Sequence, residues 1–270
     1  MNLSVVDIQN KANDHRIKIL KMINKMGKGH VGGAFSCIDI LSSLYYGNIL
    51  NVSPENFTNT SRNRVILSKG HAAIAQYVIL QDLGFFSDDE LFKMNNGGIL
   101  GEHPDPNIPG IEFVSGSLGH GLAAGIGMAL AARMDNLDLS VYVILGDGEC
   151  HEGSVWEAAM LASHLKLTNL IVIIDRNRLC IHGDTEKINA LEPLGKKWEA
   201  FGWHTNEVDG HDINECISSL AIRHKTKPAI LIANTVKGKG VSFMENESSW
   251  HHGAISDQIL ESALDELSND

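Results

Sequence analysis

Apolar and polar positions alternate between two rhythms along the chain. From Val5 to Met26, apolar Val6, Ile17, Ile19, Leu20, Ile23 and Met26 recur among charges, the spacing of an amphipathic helix that ends before Gly27 and Gly29. Further helices are predicted over 36–46, 72–83, 153–166, 194–201 and 213–223, and a helix dense in Ala and Gly over 119–134. Strands are predicted between them over 64–68, 141–145, 169–175, 205–208 and 229–233, and the apolar runs at 141–145 and 169–175 have the length and β-branched content of buried strands. Residues 97–116, rich in Gly and Pro, form an irregular loop that carries His103. A polar loop follows Lys237 and ends in Trp250-His251-His252-Gly253, and a short acidic helix comes last. Helices alternating with apolar strands predict an α/β fold, a parallel twisted sheet with helices on both faces.

Strand, helix and strand over 141–175 make a right-handed crossover, so two parallel strands end side by side. The first runs into Gly146-Asp147-Gly148-Glu149, and the second delivers Asn177, thirty positions after Asp147. A carboxylate and an amide oxygen then share the carboxyl edge of the sheet, where ligands of such folds bind. Magnesium takes one or two oxygens from protein and the rest from phosphate and water, so this pair suffices for a metal-diphosphate site. Gly146-Asp147-Gly148 alone fits a tight turn equally well; Asn177 one crossover later favours the site. Ser154 and Glu157 fit a capping box, a structural use of Glu157 that competes with a functional one.

Position separates the 13 histidines. His30, His71, His103, His251 and His252 lie in turns and loops that can meet at one sheet edge, and an imidazole supplies both a donor and an acceptor to hydroxyls and carbonyls. His15, His164, His204 and His224 fall on predicted helices or strands and read as structural. Lys69 and Lys237 sit in glycine-flanked turns where a phosphate can approach the backbone, although either alone fits a solvated loop lysine. There is no GxxxxGK[ST] loop, and Gly121 to Gly127 read as helix packing.

Composition narrows the class. A formal charge of −11 argues against a nucleic-acid partner. The N-terminus has no signal-like apolar stretch, and no apolar run reaches membrane-spanning length. Cys37, Cys150, Cys180 and Cys216 are scattered, without zinc-site or disulfide spacing, and read as reduced. The expectation is a cytoplasmic protein with no nucleic acid and no membrane contact, forming a single domain over 1–270 with a C-terminal loop and short helix.

Five blocks, GHVGGAFSCIDIL (29–41), LSKGHAA (67–73), GSLGHGLAAGIGMA (116–129), GDGECHEGSVWEAAMLASHLKLTNLIVIIDRNRL (146–179) and TVKGKGVSFMENESSWHHG (235–253), resemble the N-terminal, diphosphate-binding half of transketolase, in the family's order and over nearly the whole chain. The resemblance implies that Asp147, Asn177 and the Leu179 carbonyl hold a divalent ion, usually magnesium with calcium or manganese as substitutes, on thiamine diphosphate. It places Gly146, Gly148 and Glu149 around the diphosphate, turns Lys69, His71 and Lys237 toward phosphate, and sets Gly116, Ser117 and Leu118 against the aminopyrimidine. His30, His103 and one of His251 or His252 would line the channel and exchange protons with a ketose phosphate. Glu152 and Glu157 would face a neighbouring subunit.

Val31 stands where the family usually has proline, and His120 where glutamine is common. The family's second domain, which activates the aminopyrimidine and binds substrate phosphate, has no counterpart here. The resemblance therefore implies a two-subunit transketolase, with a separate C-terminal subunit carrying the pyrimidine-binding domain in an α2β2 heterotetramer. The alternatives are the α-subunit of a thiamine-dependent 2-oxo acid dehydrogenase, against which LSKGHAA and WHHG argue, and a non-catalytic homologue that keeps the fold.

Overall fold

The computed structural model describes residues 3–269. Helix α1 (Val5–Met26) opens on a capping box in which Ser4 and Asp7 satisfy each other's backbone donors, and closes at Gly27 with φ +88°. Helix α2 (Val31–Tyr46) begins five residues before the predicted start, with His30 as its N-cap. Its Gly32 and Gly33 pass close to other chain segments: a Cβ on Gly32 would lie 2.9 Å from the Trp250 carbonyl and 3.0 Å from Lys237 Cγ. Every residue of α2 is buried, which explains why its composition is apolar on all sides rather than amphipathic.

Strand β1 (Arg64–Leu67) leads through a 3-10 turn at Gly70–Ala72 into α3 (Ala73–Asp82), then the short α4 (Asp88–Leu91) and α5 (Gly121–Met134). Strand β2 (Val141–Gly146), α6 (Gly153–His164) and β3 (Leu170–Arg176) form the predicted crossover, with Gly146 beside Asp175 in parallel register. A small hairpin, β4 (Leu179–Cys180) and β5 (Gly183–Asp184), and the one-turn α7 (Thr185–Ile188) come next; their residues carry no hydrophobic periodicity, so pattern alone misses them. Then come α8 (Leu194–Ala200), β6 (His204–Asp209), α9 (Ile213–Leu220), β7 (Ala229–Asn234) and α10 (Asp257–Asn269). Helix α9 stops at Leu220, three residues short of the predicted end, and His224 lies in the loop beyond it rather than on a helix or strand; its ring stacks on His204 and its Nδ1 accepts from the Thr226 and Lys227 amides.

The five main strands run parallel in the order β1-β2-β3-β7-β6. Alternate residues of β2 face opposite cores: Tyr142 and Ile144 pack with α1, α2, α3, α9 and α10, whereas Val141, Val143 and Leu145 pack with α5, α6 and α8. Burial on both faces accounts for the unbroken apolar runs. The chain reverses its progress across the sheet at the β3–β7 boundary, and the carboxyl ends of β1, β2, β3 and β7 all open onto that crevice. Such a reversal is where open α/β sheets place their ligands. No helix among the described residues is long and apolar enough to cross a membrane.

Candidate active site

A cleft of about 390 Å3 lies along this edge. Each strand contributes residues just past its carboxyl end: Lys69 and His71 after β1, Asp147 and Gly148 after β2, Asn177 and Leu179 after β3, Lys237 after β7. His30, His103, Gly116, Leu118, Gly146, Glu149, Glu152 and His251 complete the expected residues that line it. Ser117 and Glu157 are exposed and do not line it, and His252 stands at its rim rather than in its wall. Of the doubled histidines, His251 is thus the one that faces the cleft.

Asp147 is buried with its carboxylate turned toward the β3 strand end, where Oδ2 accepts from the Arg178 amide at 2.6 Å and from Arg176 at 3.0 Å. Burial, and then the nearby Asp175 charge, raise its pKa above the usual carboxylate range, so the pocket favours added positive charge there. Asn177 Oδ1 accepts from the Leu179 amide at 3.1 Å, and the Leu179 carbonyl accepts from Lys237 Nζ at 3.1 Å. The donor set is therefore two side-chain oxygens and a backbone carbonyl on adjoining strand ends, with an ammonium beside them. Hard oxygens of this kind suit a divalent ion that also binds phosphate, and the cleft has room for a diphosphate; the residues fit magnesium and thiamine diphosphate.

The two lysines have different fates. Lys69 is 1% exposed, its ammonium is paired with the buried Asp175 carboxylate, and it donates to the Gly33 carbonyl at 2.9 Å. Its charge is spent inside the protein. Lys237 is equally buried but has no carboxylate partner among the described residues; Nζ reaches the Leu179 carbonyl and His251 Nδ1, the latter at 2.9 Å. Burial, reinforced by the Lys69 charge, lowers its pKa to about 8.

Asp175, which no motif singles out, is the hub of the site. It accepts from Lys69, Ser36, Thr235 and Asn177, joining α2 and the ends of β1, β3 and β7. Burial alone would raise its pKa, yet the Lys69 charge and these donors hold it below the ordinary value. The buried Arg176 binds Asp147, Thr185, Glu186 and Glu192 and so fastens β3 to the segment after it. Glu149, buried and shifted upward by burial, accepts from the Ser68 hydroxyl and from the Gly119 and Gly146 amides, clamping three loops. Ser154 donates to the Gly119 carbonyl at 3.0 Å, and the N-cap of α6 is Glu152, with no side-chain cap bond; the expected capping box does not form because the helix begins before Ser154. Gly116 has φ +131°, and a Cβ there would lie 2.7 Å from His103, so only glycine lets this loop pass the ring.

Five histidine rings cluster over the cleft: His30 lies 5.5 Å from His71, 6.4 Å from His103, 5.4 Å from His251 and 4.5 Å from His252, between centroids. Burial pushes His30 down to about 4 and His251 to about 3, and drives His71 well below the usual imidazole value. These three are neutral at physiological pH. His151 and His182 also line the cleft, with the apolar Ile181 and Ile188 beside them; they lie on the short segments that pattern cannot assign. His211 likewise carries no motif: Nδ1 meets the buried Asp39 at 2.6 Å and Nε2 accepts from the Val236 amide at 2.8 Å, which fixes the backbone one residue before Lys237.

Comparison with known proteins fits this arrangement. Residues 8–267 match the family described as transketolase, thiamine diphosphate binding domain. The chain is 42% identical to one subunit of the apulose-4-phosphate transketolase of Phocaeicola vulgatus, over 99% of this chain and 95% of that one. It is 41% identical to the 6-deoxy-6-sulfo-D-fructose transketolase subunit SqwG of a Clostridium species, over 99% and 98%. Human transketolase is 34% identical, with 96% of this chain covering 42% of it. The crystal structure of Campylobacter jejuni transketolase superposes with a TM-score of 0.90 at 31% identity, over 99% of this chain and 43% of that one. The matching family and the relatives named above are transketolases, and the chain belongs to the transketolase family through its thiamine diphosphate binding domain.

Proposed function

We propose that this chain is the diphosphate-binding subunit of a two-subunit transketolase, which transfers a two-carbon ketol unit from a ketose phosphate to an aldose. The carrying observation is the convergence of Asp147, Asn177 and the Leu179 carbonyl in the cleft of a chain that aligns with separately named transketolase subunits over nearly their whole length. Those subunit names support a partner, here a C-terminal subunit carrying the pyrimidine-binding domain, in an α2β2 heterotetramer. Glu152 and Glu157, both exposed, are then available to the neighbouring subunit. Free cysteines, among the described residues, fit a reducing cytoplasmic setting.

Thiamine diphosphate, when bound, supplies the nucleophilic carbon that takes up and releases the two-carbon unit. The chain's own residues bind and orient. Asp147, Asn177 and the Leu179 carbonyl would hold the divalent ion, and Lys237 would turn from that carbonyl to the diphosphate. The Gly148 backbone can approach phosphate where a side chain would meet Cys180 Cβ at 3.0 Å. His30, His103 and His251 would hydrogen-bond the ketose oxygens and hold the protons that these gain or lose. The two closely matched subunits are named for apulose-4-phosphate and for 6-deoxy-6-sulfo-D-fructose, so by their names the sugar is a feature on which members of this group differ.

Isothermal titration of thiamine diphosphate into the chain with its partner tests the binding half of the proposal. Magnesium-dependent binding that is abolished by Asp147→Ala and Asn177→Ala is expected; undiminished binding by both variants would sink it.

A further inference from the structure

A neutral imidazole carries one proton on one of two nitrogens, and its neighbours decide which. Glu102, from the loop beside His103, places Oε1 3.2 Å from His30 Nδ1 and 3.4 Å from His252 Nε2. The approach is an ion-pair contact without the alignment of a hydrogen bond, and the negative charge beside Nδ1 favours a proton on that nitrogen over a lone pair, which leaves Nε2 as the ring's acceptor. His251 is held in the opposite sense. Its Nδ1 lies 2.9 Å from the Lys237 ammonium, a group with protons to donate, so the proton of His251 belongs on Nε2.

We propose that Glu102 is a positioning residue that fixes His30 as the Nδ1–H tautomer, so that the cleft presents an acceptor at His30 Nε2 and a donor at His251 Nε2. The two rings are 5.4 Å apart between centroids and nearly perpendicular, at 86°. Both are buried enough to be neutral at physiological pH, the condition under which a tautomer has meaning. Without Glu102, the cationic Lys237 and the neighbouring rings would leave His30 free to present either nitrogen. With it, a sugar hydroxyl finds an acceptor on one side and a carbonyl oxygen finds a donor on the other.

Glu102 has a second effect. By also contacting His252, it ties the loop at 97–116 to the C-terminal loop, and so holds His251, one residue before, over the cleft. No periodicity or spacing in the sequence points to this residue; its partners lie 72 and 150 positions away (102 − 30 and 252 − 102). The tautomer assignment stands on these contacts alone, whereas its catalytic consequence rests on the proposed ketol transfer.

Long-range proton–nitrogen spectra of the full chain labelled with 15N-histidine distinguish the two tautomers ring by ring, with His30 assigned by the signal lost in His30→Asn. The native chain is expected to show His30 protonated on Nδ1 and His251 on Nε2, and Glu102→Ala to abolish the His30 preference, with Glu102→Gln, which keeps an accepting oxygen, retaining part of it. His30 protonated on Nε2 in the native chain, or an unchanged preference in Glu102→Ala, would overturn the proposal. In the complex with the partner subunit, Glu102→Ala is expected to lower kcat roughly ten- to a hundredfold with KM little changed, as for loss of a group that orients an acid–base residue, and Glu102→Gln to recover part of the loss. An unchanged kcat would overturn the catalytic consequence. Absence of ketol transfer by the unaltered complex would strike the proposed function and leave the spectra to decide the tautomer.

Discussion

The loops after β1 and after β7 look alike in sequence, each a strand running into a lysine followed by glycine, and each lysine is buried to the same degree. In the first, Asp175 pairs with the Lys69 ammonium, and although burial alone would lower its pKa, that charge raises it. In the second, no carboxylate reaches Lys237, and burial lowers its pKa to about 8. Desolvation acts on both; the neighbouring anion decides the outcome. One lysine is therefore a structural cation and the other an available one, and the difference lies in the partner across the sheet rather than in the loop.

The comparison breaks most visibly at Lys69. Lys69→Met leaves Asp175 charged, buried and without its ion partner, and is expected to cost about 3–5 kcal/mol, measured by urea unfolding. A loss below 1 kcal/mol would show that Lys69 is not the structural cation. His15 extends the rule to a group whose burial outweighs a nearby anion. It is buried against the Tyr46 hydroxyl, and burial lowers its pKa from 6.5 to about 4 despite the Asp82 charge. The unfolded chain then binds the proton more readily than the folded one. Stability is complete above pH 6.5 and falls as the pH drops toward 4, by roughly 2–3 kcal/mol from this residue. Urea midpoints across that window, compared with those of His15→Gln, check the slope; equal slopes in the two proteins would contradict it.

Lys237→Met should leave the fold nearly untouched and act on the ligand. Removing one charged donor is expected to weaken diphosphate binding roughly tenfold, about 1.4 kcal/mol, with an unfolding midpoint close to that of the native chain. A large stability loss with unchanged binding would reverse the roles assigned to the two lysines. The smallest effect on diphosphate binding is expected at His211. His211→Ala releases the Val236 amide and one partner of the buried Asp39, which Arg16 still holds, and costs about 1–2 kcal/mol; it should weaken diphosphate binding less than Lys237→Met does, because the ammonium survives but its backbone is less fixed. Equal or greater weakening would make His211 more than a tether.

Much of this edge is legible in the sequence, because the residues that end buried strands must meet at one rim once the runs are known to be parallel. Asp147 and Asn177 follow directly from that. Asp175 is not legible as the hub, since its lysine comes from β1, a strand that is not its neighbour in the sheet, and no local spacing encodes the pairing. The start of α2 is hidden by Gly32 and Gly33, which read as loop but let other segments pass close by, Trp250 and Lys237 at Gly32 and the His71 ring at Gly33. The Ser154 to Glu157 pattern matches a capping box by spacing alone, yet α6 begins at Gly153, and Ser154 is spent on Gly119. His211 and Glu102 act through contacts formed only by the folded chain, so motifs alone reveal neither.

The division of labour between the two loops serves one claim: that this chain holds the diphosphate end of the cofactor and needs a second subunit for turnover. Ketol transfer from a ketose phosphate to an aldose, measured for the rigorously purified chain alone, for the chain co-expressed with the proposed C-terminal partner, and for that complex carrying Asp147→Ala, tests it directly. Turnover by the native complex, with none by the chain alone and none after Asp147→Ala, is the predicted result. Turnover by the chain alone, or by the Asp147→Ala complex at the native rate, would contradict it.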